Sequence, residues 1–201
     1  MSIVINGSGT VTGLAVGGLP DGTVDADTLA TDSVIAAKLG TDSVTADALK
    51  DDAIATGDLP TGSVLQVVTS ADTTRDTTTS TSWVASTISA SITPSSTSSK
   101  IFIIISTQGN NNNNSGHSLN WTIYRDSTDI SLNSTYGFGQ MYTASAGNLR
   151  SMITTAVLDS PSTTSSTTYK LYFKSGNAAS TVEITGSPGM TRTITLMEIA
   201  G

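Results

Sequence analysis

His117 is the single histidine of the 201 residues, and cysteine is absent. A serine or cysteine nucleophile needs a base beside it, so neither a Ser–His nor a Cys–His pair has its full complement of partners here. The carboxylates after residue 66 are Asp72, Asp76, Asp126, Asp129, Asp159, Glu183 and Glu198. Glycan hydrolysis needs two of them at a fixed separation in a deep cleft, one with a raised pKa. Asp126 and Asp129 enclose Ser127-Thr128, which reads as a hairpin turn in which Asp bonds its own backbone. That stretch lacks the length and turn glycine of a calcium loop. No glycine-rich loop opens a helix to cradle phosphate. The expectation is a protein that is not an enzyme and that holds no metal or cofactor.

Binding is the chemistry that remains. Two stretches exceed a tight turn: 108–117, with asparagines at 110–114, and 133–148, which carries Tyr136, Phe138, Met141 and Tyr142. Amides that both donate and accept, next to flat aromatic faces, suit a rim that contacts a sugar or a protein. The candidate receptor-contacting residues are Asn111, Asn112, Asn113, His117, Tyr136, Phe138 and Tyr142. The aromatics of the second stretch could instead fill a contact between subunits.

These loops need a scaffold, and the chain has two compositional regions. Before residue 66, nine Asp oppose Lys38 and Lys50, which accounts for the whole net charge of −7; beyond it seven acids balance seven bases. No basic face is evident, so nucleic-acid binding is not expected. All ten aromatic residues lie from Trp83 onward.

The acidic region repeats every ten residues. Val24, Val34, Val44, Ile54 and Val64 form one apolar series, and Leu19, Leu29, Leu39, Leu49 and Leu59 form another. Such a period marks a quasi-one-dimensional element. A single helical turn does not persist alone, and one aliphatic per five residues cannot build a core within one chain. Burial against copies of the same segment is the expected solution, with turns packed along one larger domain as the alternative, so these residues are expected to line the core of a homo-oligomeric stalk over residues 14–63. The spacing is not a heptad, which argues against an ordinary coiled coil. Ahead of it, Ile3, Val4 and Ile5 form a short β-prone segment able to add a strand to another protein, and residues 1–13 are assigned to attachment.

From residue 64 to 201, eight strand-like segments are separated by turn signals: 64–69, 83–93, 100–108, 118–125, 149–158, 168–174, 180–185 and 191–199. Several have a period of two, as where Tyr169, Leu171 and Phe173 alternate with Lys170, Tyr172 and Lys174. Ser and Thr make up about a third of the chain, which favours strands and turns over helices. The expected fold is mainly β, an antiparallel sandwich of jelly-roll type behind a stalk with short helical turns. No apolar run is long enough for a membrane helix, and the first residues lack the pattern of a secretory signal.

The chain resembles the short fibre proteins of tailed bacteriophages of marine and cyanobacterial type. The resemblance is carried by GLAVGGLPDGTV with the TDSV and TADAL repeats, by SWVASTISASITPSSTSSKIFIIIS and LDSPSTTSSTTYKLYFKS, and by TITLMEIAG at the end. It implies a homotrimer on the virion, held at its N-terminus by a tail, baseplate or capsid protein. It also implies a trimeric head similar to C1q or tumour-necrosis-factor jelly rolls, which meets a host surface glycan or protein. A capsid decoration fibre without a receptor and a secreted C1q-like adhesin are the alternatives.

Overall fold

The computed structural model describes residues 29, 33–35, 39–41, 44, 56–112, 116–145, 147–185 and 189–201. The attachment residues Ile3, Val4 and Ile5, and the stalk residues Leu19, Val24, Leu49 and Ile54, lie outside the described residues, as does Asn113. The chain divides into two compact units, Met1–Ala53 and Ile54–Gly201, so Leu59 belongs with the second.

In the first unit, Leu29, Val34, Leu39 and Val44 are each about half exposed in the single chain (46%, 52%, 44% and 50%).

The second unit is almost wholly β, after a 3-10 turn at Thr56–Asp58. Its strands are β1 (Val64–Asp72), β2 (Asp76–Thr78), β3 (Val84–Ile92), β4 (Lys100–Asn111), β5 (His117–Arg125), β6 (Thr128–Asp129), β7 (Gly139–Thr143), β8 (Leu149–Asp159), β9 (Thr167–Ser175), β10 (Val182–Ile184) and β11 (Arg192–Ile199). All eight expected segments are strands. The additional β2, β6 and β7 are two to five residues long, too short to show a period.

Two antiparallel sheets form. In the first, β4 is central. It pairs with β8 along one edge, and with β11 and then β10 along the other; β1 lies outside β11 and β2 outside β10. The second runs β3-β9-β5, with β7 and β6 sharing the outer edge of β5. Each sheet thus has four ranks. The chain crosses between them repeatedly: β1, β4, β8 and β11 fall in the first sheet, and β3, β5 and β9 in the second.

The core lies between the sheets. Ile88, Ile92, Leu119, Ile123, Tyr169, Leu171 and Phe173 of the second meet Ile101, Ile103, Ile105, Ile153, Ile194 and Leu196 of the first, all at most 2% exposed. β-Branched side chains at alternate positions suit a pleated surface buried on one face. The Trp121 indole N–H crosses the sandwich to the Thr155 hydroxyl at 2.9 Å, which satisfies a buried donor.

β11 carries a buried charge at each end. Arg192, fully buried, donates to Asp72 Oδ1 and Asp76 Oδ2, each at 2.5 Å, and to Thr87. Glu198 accepts from Ser95, Ser99 and Gln66. Leaving either charge unpaired would cost several kcal/mol, on the order of 3–5, so these partners fix how β11 sits in the sheet.

Candidate functional site: the outer faces of the two sheets

The asparagine run changes character in the structure. β4 continues to Asn111, so Asn110 and Asn111 are strand residues at 1% and 0% exposure rather than a loop tip. Asn111 Nδ2 donates to the His117 carbonyl and the Thr143 hydroxyl, and its Oδ1 accepts from Ser180. Asn111 therefore ties strands together and offers no contact surface. Asn112 donates to Glu183, beside Arg75 and Asn110, which bind the same carboxylate. Burial acts to raise the Glu183 pKa, but the bonds from Arg75, Asn110 and Asn112 outweigh it and leave the pKa below the usual carboxylate value.

The stretch 133–148 also contains a strand, β7, which sends Met141 into the core and leaves Tyr142 exposed. Phe138 packs against the core and Tyr136 is 48% exposed. The backbone here is closely constrained. Gly137 has φ +68°, and a side chain on it would run into the Trp121 carbonyl; one on Gly139 would strike the Trp121 ring. Asn133 Oδ1 accepts from the Thr135 and Tyr136 amides at 2.9 and 3.1 Å. Tyr136 therefore projects from a fixed turn.

Of the candidate residues, Tyr136 and Tyr142 stand on one surface, the outer face of the second sheet, and His117 is half-buried at its end. Residues absent from the candidate set complete this face. Gln140, Asn120 and Lys174 lie side by side across β7, β5 and β9. Lys174 Nζ lies 4.3 Å from the centre of the Trp83 ring, and the Trp83 indole donates to the Ser134 carbonyl at 3.3 Å. Tyr124 and Tyr172 stack with ring centres 3.9 Å apart. Four of the five tyrosines thus line this face, while Tyr169 is in the core. The signal in sequence was the alternation in 168–174, whose second face is Lys170, Tyr172 and Lys174.

A cavity of about 330 Å³ opens on this face, lined among others by Tyr136, Gln140, Asn120, Ser118 and Lys174. Asn120 is 2% exposed; its amide donates to Ser118 Oγ at 3.2 Å, while its Oδ1 has no partner. An acceptor buried without a donor costs about 1–3 kcal/mol.

The acids after residue 66 all have partners. Asp72 and Asp76 hold Arg192, and Asp159 holds Arg125 at 2.8 Å and accepts from Tyr169. Asp129 accepts the Ser131 amide two residues on, whereas Asp126, expected to bond its own backbone, accepts the Thr168 amide of β9. β5 and β6 form the hairpin expected around Asp126, which has φ +52°. Among the described residues, no three His, Asp or Glu side chains converge as a metal site.

The outer face of the first sheet has the opposite chemistry. Val67, Met197, Phe102 and Leu158 form one cross-strand row, and Thr69, Thr195, Ile104 and Ala156 form the next. Val67 and Leu158 are 56% and 50% exposed. The following row is Ala71, Thr193, Ser106 and Thr154, so twelve consecutive positions across four strands carry no charge.

No protein-family model matches the chain, and no curated protein matches it. Among solved structures it is similar to the VP2 subviral particle of infectious bursal disease virus, at 12% identity and a TM-score of 0.33. That match covers 69% of this chain and 39% of the VP2 chain, so this chain spans well under half of that neighbour's length.

Proposed function

We propose that this protein is a homotrimeric virion fibre that works by contact rather than by catalysis. In this reading residues 1–13 dock on another virion protein and the repeat forms the stalk. The second unit is then a jelly-roll head that meets the host surface. The observation that carries the reading is the uncharged patch of twelve positions on the outer face of the first sheet. A monomeric β-sandwich normally alternates apolar-in with polar-out, whereas here Val67, Met197, Phe102, Leu158 and Ile104 face outward together. A second copy of the same chain is the fitting occupant, because the repeat already demands self-association through Leu29, Val34, Leu39 and Val44, which one chain leaves exposed. The crossing of the chain between the sheets supports the jelly-roll reading, and the resemblance to short phage fibres supports the trimer and the virion.

Geometry bounds the arrangement. Four strands about 4.8 Å apart and three rows about 6.6 Å apart make a patch of about 400 Å². A standard interface buries about 800 Å² per partner. The head face supplies roughly half of that, and the stalk must contribute the remainder.

The test is a charge placed at the centre of the face. Ile104→Glu is expected to shift the full chain from an assembly to a single-chain mass in sedimentation, with its β-sheet circular dichroism retained. Thr168→Glu, on the outer face of the second sheet, is expected to keep the assembly. An Ile104→Glu protein that sediments like the parent would remove the proposed interface. Imaging labelled particles then separates a tail fibre from a capsid fibre.

A further inference from the structure

From the cavity on the outer face of the second sheet, we infer that the head binds an anionic saccharide of the uronate class between Tyr136 and Lys174. The inference deepens the host-contact reading and rests on it. Three features converge there. Asn120 lines the cavity and its Oδ1 is a buried acceptor without a donor, a role that a sugar hydroxyl can fill. Tyr136 presents an exposed ring from a turn fixed by Asn133 and Gly137, which suits the flat apolar face of a pyranose. Among the described residues Lys174 is the one charged side chain lining the cavity, and the Trp83 ring holds its ammonium group in place.

Charge decides between neutral and acidic sugars. Among the described residues the lining contains no carboxylate. The acid elsewhere on this face, Asp129, is already engaged by the Thr122 hydroxyl at 2.6 Å and the Ser131 amide at 2.9 Å. A uronate carboxylate beside Lys174 thus gains a charge-assisted bond without facing a like charge in the lining. Gln140 stands beside Asn120 on the neighbouring strand, and its amide can both donate to and accept from the ring hydroxyls.

The experiment titrates the full chain by calorimetry with trigalacturonate and, separately, with its methyl ester, which removes the charge and keeps the ring. Binding of the acid is expected, with the ester at least about tenfold weaker. Lys174→Met, which keeps the packing on Trp83, should weaken acid binding by about tenfold or more. Tyr136→Ala should weaken it by about tenfold, and Tyr136→Phe should retain it because the ring face remains. No heat of binding at millimolar trigalacturonate, equal binding of acid and ester, or an unaffected Lys174→Met protein would each overturn the inference. Sedimentation of the same sample separates the two readings. A trimer that binds no uronate removes the site and leaves the fibre standing, whereas a monomer that binds uronate does the reverse.

Discussion

Asp72, Glu183 and Glu198 each lie against buried structure, and each is surrounded by donors. At all three, burial works to raise the pKa, and hydrogen bonds from Arg192, from Arg75 with two asparagines, and from Gln66, Ser99 and Ser95 overcome it, so the pKa falls below the usual value. A carboxylate whose pKa is lower in the folded than in the unfolded state stabilises the fold above the unfolded value of about 4. That contribution disappears as the pH drops through the folded pKa. The thermal midpoint is therefore expected to be level from about pH 8 to 5 and to fall below about pH 4. In Glu198→Gln the midpoint at pH 7 should be lower and the acid fall shallower. A variant that falls as steeply as the parent would show that Glu198 does not carry the acid sensitivity.

At the scale of elements, the strands legible in the sequence were those whose burial is one-sided and long. Ile88, Ala90 and Ile92 face the core as their spacing required, as do Tyr169, Leu171 and Phe173. β4 was legible only to Gln108. It continues through Asn110 and Asn111 because Glu183, Ser180 and Thr143 meet their amides, and partners more than thirty residues away leave no local mark. For the same reason Asn111 looked like a loop contact and is a buried tie. The cavity was half legible. Tyr136 and Tyr142 stood out by type, while Asn120, Gln140 and Lys174 come together only through the pairing of three strands. The ten-residue period reads as an element that one chain cannot bury, and of it Leu29, Val34, Leu39 and Val44 are described, each about half exposed in the single chain. Replacing Val34 and Val44 together by Ser removes about 1.5 kcal/mol or more of burial at each position if they line a shared core. Association should then weaken at least about tenfold across a sedimentation concentration series, while the thermal unfolding of the second unit stays unchanged. Unaltered association would place the stalk contacts elsewhere.

Across the whole molecule, opposite surfaces of one sandwich suit different partners. The first sheet turns an uncharged patch of twelve positions outward, suited to copies of itself. The second turns out tyrosines, lysines and amides, suited to a polar ligand. Assembly through the first would present several copies of the second together, so that weak single contacts combine through effective concentration. The acidic repeat would set how many heads are displayed. The measurement that bears most directly on this is sedimentation equilibrium of the unmodified full chain at micromolar concentration. A homotrimeric fibre gives a mass three times that of the 20.5 kDa chain; a mass equal to one chain across that range would rule the trimer out.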